Sequence, residues 1–131
     1  MIQIKQKVIQ KIEAHAIRDL PDEACGYLAG KDGIITEVYE MTNIDHSPEH
    51  FSFDPKEQFE TLKNARSKGL QILANYHSHP QTPARPSTED IRLAYDPDIY
   101  YMIISLVNNI DIKIFEIKNS IVTEQPYTII E

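Results

Sequence analysis

Strand-like segments come in groups along this sequence: two meet within residues 24–40, and three more follow one another from about 100 to 130. Helical patterns separate them only irregularly. A doubly wound parallel sheet needs regular β-α alternation, and this order excludes it.

Val8, Ile9, Ile12 and Ala16 recur at helical spacing, which predicts a first helix over about 5–19, ending before Pro21. ACGYLA at 24–29, the turn residues Gly30-Lys31-Asp32-Gly33 and then IITEVYE predict a hairpin. The polar stretch 43–53, interrupted by Pro48, reads as a loop. Asp54 suits a cap, Pro55 a first helical position, and Glu57 completes an Asp-x-x-Glu capping box. Phe59, Leu62 and Ala65 then share a face, and Gly69 ends the helix. LQILANYHSH at 70–79 reads as a buried strand, and 88–95 as a short helix capped by Ser87. The expected order is α-β-β-α-β-α-β-β-β. This is an α+β fold with helices packed on a mixed sheet, and residues 1–131 are expected to form one domain.

Composition removes several classes of function. No apolar run is long enough for a membrane span, and MIQIKQKVIQKI lacks the continuous apolar stretch of a secretory signal, so no membrane partner is expected. Cys25 is the only cysteine, which forbids an intrachain disulfide and suits a reducing cytoplasm. Any metal site must rest on His, Asp and Glu. The formal charge is −7 and the basic residues are scattered, so nucleic acid is not an expected partner; a basic or neutral protein surface is.

The chemistry concentrates in NYHSHPQTPARPSTEDIRLA, residues 75–94. Side chains two apart on a strand point the same way, so His77 and His79 project together while Ser78 faces away. Their Cα atoms are then roughly 6.6 Å apart, from which two imidazoles can converge on one ion. A catalytic zinc commonly takes three protein ligands and keeps a fourth place open. Asp90 offers itself as the third, since Pro80, Pro83 and Pro86 restrict the loop leading to it. Ser87-x-x-Asp90 is equally a capping-box pattern, and an acidic first turn is favoured by the helix dipole. The two readings are compatible, because a hydroxyl can cap a helix and still face a site. Hydrolysis also needs a carboxylate to move a proton. Glu23, in PDEACGYLAG, is a candidate that spacing alone cannot bring to His77.

Glu23 followed far downstream by His77-Ser78-His79-Pro80, the interval to Pro86, and Ser87-Thr88-Glu89-Asp90 resembles the JAMM (MPN+) metalloprotease signature: a remote Glu, then H-x-H-x(7)-S-x-x-D. HFSFDP at 50–55 and PSTEDI at 86–91 resemble the small standalone prokaryotic members, and the resemblance extends along the whole chain. It implies a curved mixed sheet with a cytidine-deaminase-like core, and one zinc ion per chain held by His77, His79 and Asp90. Glu23 would be the general acid/base and Ser87 would help stabilise the oxyanion. It further implies a peptidase or isopeptidase acting on a small ubiquitin-like sulfur-carrier protein that ends in Gly-Gly. The cut would release cysteine or trim C-terminal residues.

Other readings compete. A zinc deaminase needs a Pro-Cys-x-x-Cys ligand pair, which one cysteine cannot supply. A non-catalytic binding scaffold has no need of the intact set Glu23, His77, His79, Ser87 and Asp90. A deubiquitinase-like isopeptidase would act on other ubiquitin-like conjugates. A DNA-associated relative is disfavoured by the acidic balance. Cys25 reads as a small buried residue rather than a thiol nucleophile. His46 and His50 are expected in solvent on a loop that could line a groove, and His15 at the surface or partly packed. Tyr95, Tyr100 and Tyr101 read as core or rim.

Overall fold

The computed structural model describes residues 1–131 and consists of one eight-stranded mixed sheet with three helices. In chain order these are β1 (Ile2–Lys5), α1 (Gln6–Arg18), β2 (Cys25–Lys31), β3 (Ile34–Met41), α2 (Pro55–Ser67), β4 (Gln71–His79), α3 (Thr88–Arg92), β5 (Tyr100–Ser105), β6 (Asp111–Lys118), β7 (Ile121–Gln125) and β8 (Tyr127–Ile130). The strands lie side by side as β7-β6-β5-β4-β2-β3-β1-β8. No helix is long and apolar enough to cross a membrane.

Local chemistry accounts for most of these boundaries. Asp32 and Gly33 both have positive φ, 55° and 79°, the backbone that a tight hairpin between β2 and β3 requires. The Asp54 side chain accepts from Lys56 N at 2.9 Å with Pro55 starting α2, and Gly69 at φ 71° closes it.

Two departures from the expected order stand out. Four residues, IQIK, form β1 directly ahead of α1; they are too few to show a period by themselves and are held by parallel pairing with β3 and β8. The last expected strand is two, broken at Pro126, whose ring carries no N–H for a ladder. β7 stays beside β6, whereas β8 joins β1 at the far edge. The short third helix also stops at Arg92 instead of reaching residue 95, and Tyr95 is 80% exposed rather than packed.

The sheet's two faces differ in what they carry. On one, Val8, Ile9, Ile12 and Ala16 of α1 pack with Ile4, Leu28, Ile35, Tyr76, Met102 and Ile104. His15 belongs to this buried layer, fully enclosed where a surface or partly packed position was expected. Its Nδ1 lies 2.7 Å from the Tyr76 hydroxyl and its Nε2 3.0 Å from an Asp19 oxygen, so both ring nitrogens are partnered without water. Gly26 is obligatory here, because any Cβ would run into the Tyr76 ring and the Tyr39 carbonyl. On the other face, two smaller clusters flank the end of β4. One joins Tyr101, Ile103, Phe115 and Ile117 to Ala84; the second joins Cys25, Tyr27 and Met41, with Phe51 and Phe53 against it.

Candidate metal centre

β4 runs between antiparallel β2 and parallel β5 and delivers both histidines at its C-terminal end. Alternation sends Tyr76 and Ser78 to the α1 side and His77 and His79 to the opposite one. The loop after β4 then turns back, and Asp90 enters from the first turn of α3. His77 Nε2 and His79 Nε2 are 3.2 Å apart, and each lies close to Asp90 Oδ2, at 3.1 and 3.0 Å. The three atoms thus form a nearly equilateral triangle.

Proton bookkeeping leaves that triangle short of a partner. His79 Nδ1 is 3.0 Å from the Pro83 carbonyl, which can only accept, so Nδ1 carries the hydrogen and neutral His79 has its lone pair on Nε2. The His79 lone pair and the Asp90 carboxylate can sit this close to His77 Nε2 only around a proton, which His77 Nε2 itself can carry, or around a cation. A tetrahedral ion with bonds of about 2.0–2.1 Å spaces its donor atoms roughly 3.3 Å apart, close to the spacing found here. The donor set and its geometry therefore fit a divalent metal. The same crowding sets the titration. Burial works against charge on His79, yet the Asp90 carboxylate and the Pro83 carbonyl hold its pKa above the ordinary value. Burial would raise Asp90, but hydrogen bonds to His77 and His79 dominate and hold its carboxyl well below the usual range.

Tertiary pairing that spacing could not reveal brings Glu23 within electrostatic reach of Asp90. Ala24 N donates to Ser78 Oγ at 2.8 Å and Ser78 N to Ala24 O at 3.0 Å, clamping the approach to β2 against the end of β4. Glu23 N donates to Ser47 O at 2.9 Å, and Asn43 Nδ2 to Glu23 O at 3.1 Å, so the main chain of Glu23 is held on both sides. Its side chain is only 3% exposed, and Oε1 has no hydrogen-bond partner. Burial, and then repulsion from Asp90, Glu89 and Glu49, push its carboxyl up to about 9.

Ser87 serves α3 as its cap: Ser87 Oγ accepts from Asp90 N at 3.0 Å and Asp90 Oδ2 accepts from Ser87 N at 2.9 Å. Its own hydroxyl hydrogen remains free to donate. The capping oxygen of Asp90 is the one in the triangle, so the cap orients that atom. Cys25 is buried and its thiol is pushed up to about 12 by burial, which removes it as a nucleophile at neutral pH.

Sequence reasoning missed three contributors. The Phe51 ring stacks on His77 with centroids 4.8 Å apart. Asn43 holds the 43–53 loop together, accepting from Asp45 N at 3.0 Å and donating to His50 O at 3.1 Å. The available signal was Asn-x-Asp at the loop's start, an Asx-turn pattern. His46 and His50 are indeed exposed, with His50 Nδ1 3.0 Å from Asp45 Oδ2. The third is Asn75, on β4 with the histidines. A cleft of about 600 Å³ opens at His77 and Asp90 and runs past Asn75 between Leu62 of α2 and Leu93 and Tyr95, with Phe51 and Phe53 of the loop on its wall.

The family model of prokaryotic homologues of the JAB domain matches residues 5–118. The CysO-cysteine peptidase of Mycobacterium tuberculosis is 34% identical over 132 residues, covering 98% of this chain and 90% of its own length. A protein of Desulfitobacterium hafniense with a known solution structure is 47% identical and superposes with a TM-score of 0.92, covering 100% of this chain and 94% of that one. The structure of the JAMM metalloprotease-like zinc site in the proteasome and signalosome shares the fold, with a TM-score of 0.67 at 20% identity over 100% of this chain and 99% of that one.

Proposed function

Because the chain belongs to the family of prokaryotic homologues of the JAB domain, we propose that residues 1–131 act as one zinc metallopeptidase domain. Its substrate is the amide bond after the C-terminal Gly-Gly of a small ubiquitin-like sulfur-carrier protein, and the cut releases cysteine or a few trailing residues. The observation that carries this reading is the triangle of His77, His79 and Asp90 beside a buried carboxyl on Glu23 that the protein itself leaves unpartnered.

In this reading His77, His79 and Asp90 hold one zinc ion, which supplies Lewis-acid polarisation of the scissile carbonyl and activates water at neutral pH. Glu23 accepts the proton of the attacking water and passes it to the leaving amine. To do so Glu23 must be ionised, and the repulsion from Asp90 that opposes ionisation weakens once Asp90 shares its charge with a cation. Ser87 donates its hydroxyl to the oxygen on which charge develops. Phe51 covers one face of His77 and fixes its ring plane.

The relative named for CysO-cysteine supports a carrier–cysteine amide as the substrate. Access supports it as well. The site sits at a strand end under a short proline-rich loop, which admits an extended tail more readily than a folded segment. Between Glu23 and His77 the chain is occupied by β2, β3, the 43–53 loop and α2, and after α3 it passes to β5. Neither interval holds an insertion able to grip a second folded ubiquitin. A reducing cytoplasm suits the single buried thiol.

The test is to incubate zinc-loaded protein with a Gly-Gly carrier bearing extra C-terminal residues and, separately, with Lys63-linked diubiquitin, and read masses. Cleavage directly after Gly-Gly of the carrier is expected. Efficient diubiquitin cleavage with the carrier untouched would replace this reading with a deubiquitinase-like one.

A further inference from the structure

β4 presents three polar side chains in a row on the site face: Asn75, His77 and His79. The metal triangle explains the two histidines and leaves Asn75 unexplained. Its Oδ1 is buried and has no hydrogen-bond partner. Neither flanking hydroxyl bonds to it. Asn75 stands in register with Tyr27 on β2 and Tyr101 on β5. The Tyr27 hydroxyl accepts from Gln58 Nε2 at 2.7 Å, while the Tyr101 hydroxyl donates to Asp96 O at 2.7 Å and accepts from Asp96 N at 3.1 Å. A buried acceptor without a donor is unfavourable and calls for a partner.

Asn75 lines the cleft that opens at His77 and Asp90. The peptidase reading leaves only one or a few residues on the departing side of the cut. The long apolar part of the cleft is therefore available to the carrier's own tail, upstream of the scissile bond. An extended chain advances about 3.3 Å per residue, and Asn75 lies two strand positions, roughly 6.6 Å, from His77. The main-chain N–H that faces Asn75 then belongs to a residue about two positions before the cut.

We propose that Asn75 is a specificity-determining residue: a half-turn of its side-chain amide brings the unpartnered Oδ1 out to the cleft, where it accepts that main-chain N–H and so holds the tail extended; this rests on the peptidase reading above. A side-chain amide that reads backbone is blind to the tail's side chains there but requires an N–H. It therefore rejects proline or any N-substituted residue at that position. The apolar walls at Phe53, Leu62 and Leu93 take the side chains that precede it.

The experiment uses the zinc-loaded full chain and a semisynthetic Gly-Gly carrier extended by one cysteine. Each upstream tail N–H is replaced in turn by an ester oxygen, leaving the scissile amide intact. For the wild type, the ester two positions before the cut should raise KM on the order of tenfold and leave kcat within about twofold, the signature of lost ground-state binding. Asn75→Leu should show the same rise on the unmodified tail, with zinc content unchanged, and should be insensitive to that ester. A merely structural role for Asn75 would leave the ester effect in place in the variant, which overturns the proposal. So does a wild type indifferent to every ester. If Asn75→Leu does not fold, Asn75→Ala takes its place in the same comparison. If the wild type cleaves no carrier tail, it is the peptidase reading that fails, and this inference falls with it.

Discussion

Inside a protein, a carboxyl oxygen without a donor lowers stability, and Glu23 carries such an oxygen beside three metal-ligand candidates. The cost depends on pH in a direction that can be worked out. Without metal, folded Glu23 stays protonated up to about pH 9, whereas in the unfolded chain it ionises near its ordinary 4.5. Between those values the unfolded state binds fewer protons, so the metal-free fold loses stability as pH rises through this window. Glu23→Gln removes the titration. Denaturant unfolding of the two metal-free proteins should diverge in favour of Glu23→Gln by a few kcal/mol, on an order-of-magnitude basis, between pH 5 and pH 8. Parallel pH profiles would show that the burial of this carboxyl is not what the structure implies. The same variant should retain zinc and lose about 10²–10⁴-fold in turnover if Glu23 is the acid/base. The identity of Glu23 was legible only through the family signature. What places it is the Ala24–Ser78 clamp and Asn43, contacts between β2, β4 and a loop that no local period encodes.

At the level of elements, α3 is a helix of five residues whose importance lies in its first turn. Ser87-x-x-Asp90 could be read as a cap or as part of a metal site, and the structure shows why both patterns coincide: the Asp90 oxygen that takes the Ser87 N–H is the oxygen in the triangle. That much was legible, because capping is local. The early stop of α3 was not: Leu93 takes the C-cap position, and no single residue in the sequence marks that boundary. Two substitutions separate the roles. Asp90→Ala should lose zinc while the chain stays folded, since a lost cap costs only about 0.5–2 kcal/mol. Ser87→Ala keeps all three ligands but frees the Asp90 backbone and side chain. It should weaken zinc retention about 10–100-fold and slow turnover on the order of 10²–10³-fold. Metal analysis after dialysis against a graded chelator reads both. Full occupancy in Asp90→Ala would remove Asp90 from the ligand set.

Across the whole molecule, the sheet divides labour between its faces, and this division explains what the sequence could not show. Hairpins and capped helices follow from neighbours in the chain. β1 and β8, by contrast, exist because they pair with each other, β1 also with β3, at an edge assembled from both chain ends. His15 looked like a surface or partly packed residue for the same reason: its partner Tyr76 lies 61 positions away and is recruited only when α1 packs on the sheet. Tyr76 neighbours His77 in the chain yet points to the opposite face, so it tests whether the faces are independent. Tyr76→Phe removes the hydroxyl and leaves His15 Nδ1 buried without a partner while preserving the ring that packs against Leu28 and Met102. The loss should be about 1–3 kcal/mol of stability, seen in denaturant unfolding with and without zinc. Zinc affinity and kcat should stay within about twofold of wild type, because His77, His79, Asp90, Glu23 and the cleft lie across the sheet. A parallel fall in zinc affinity would mean instead that β4 transmits strain from the α1 layer to the histidines, and that the buried His15–Tyr76 pair helps to set the geometry of the metal centre.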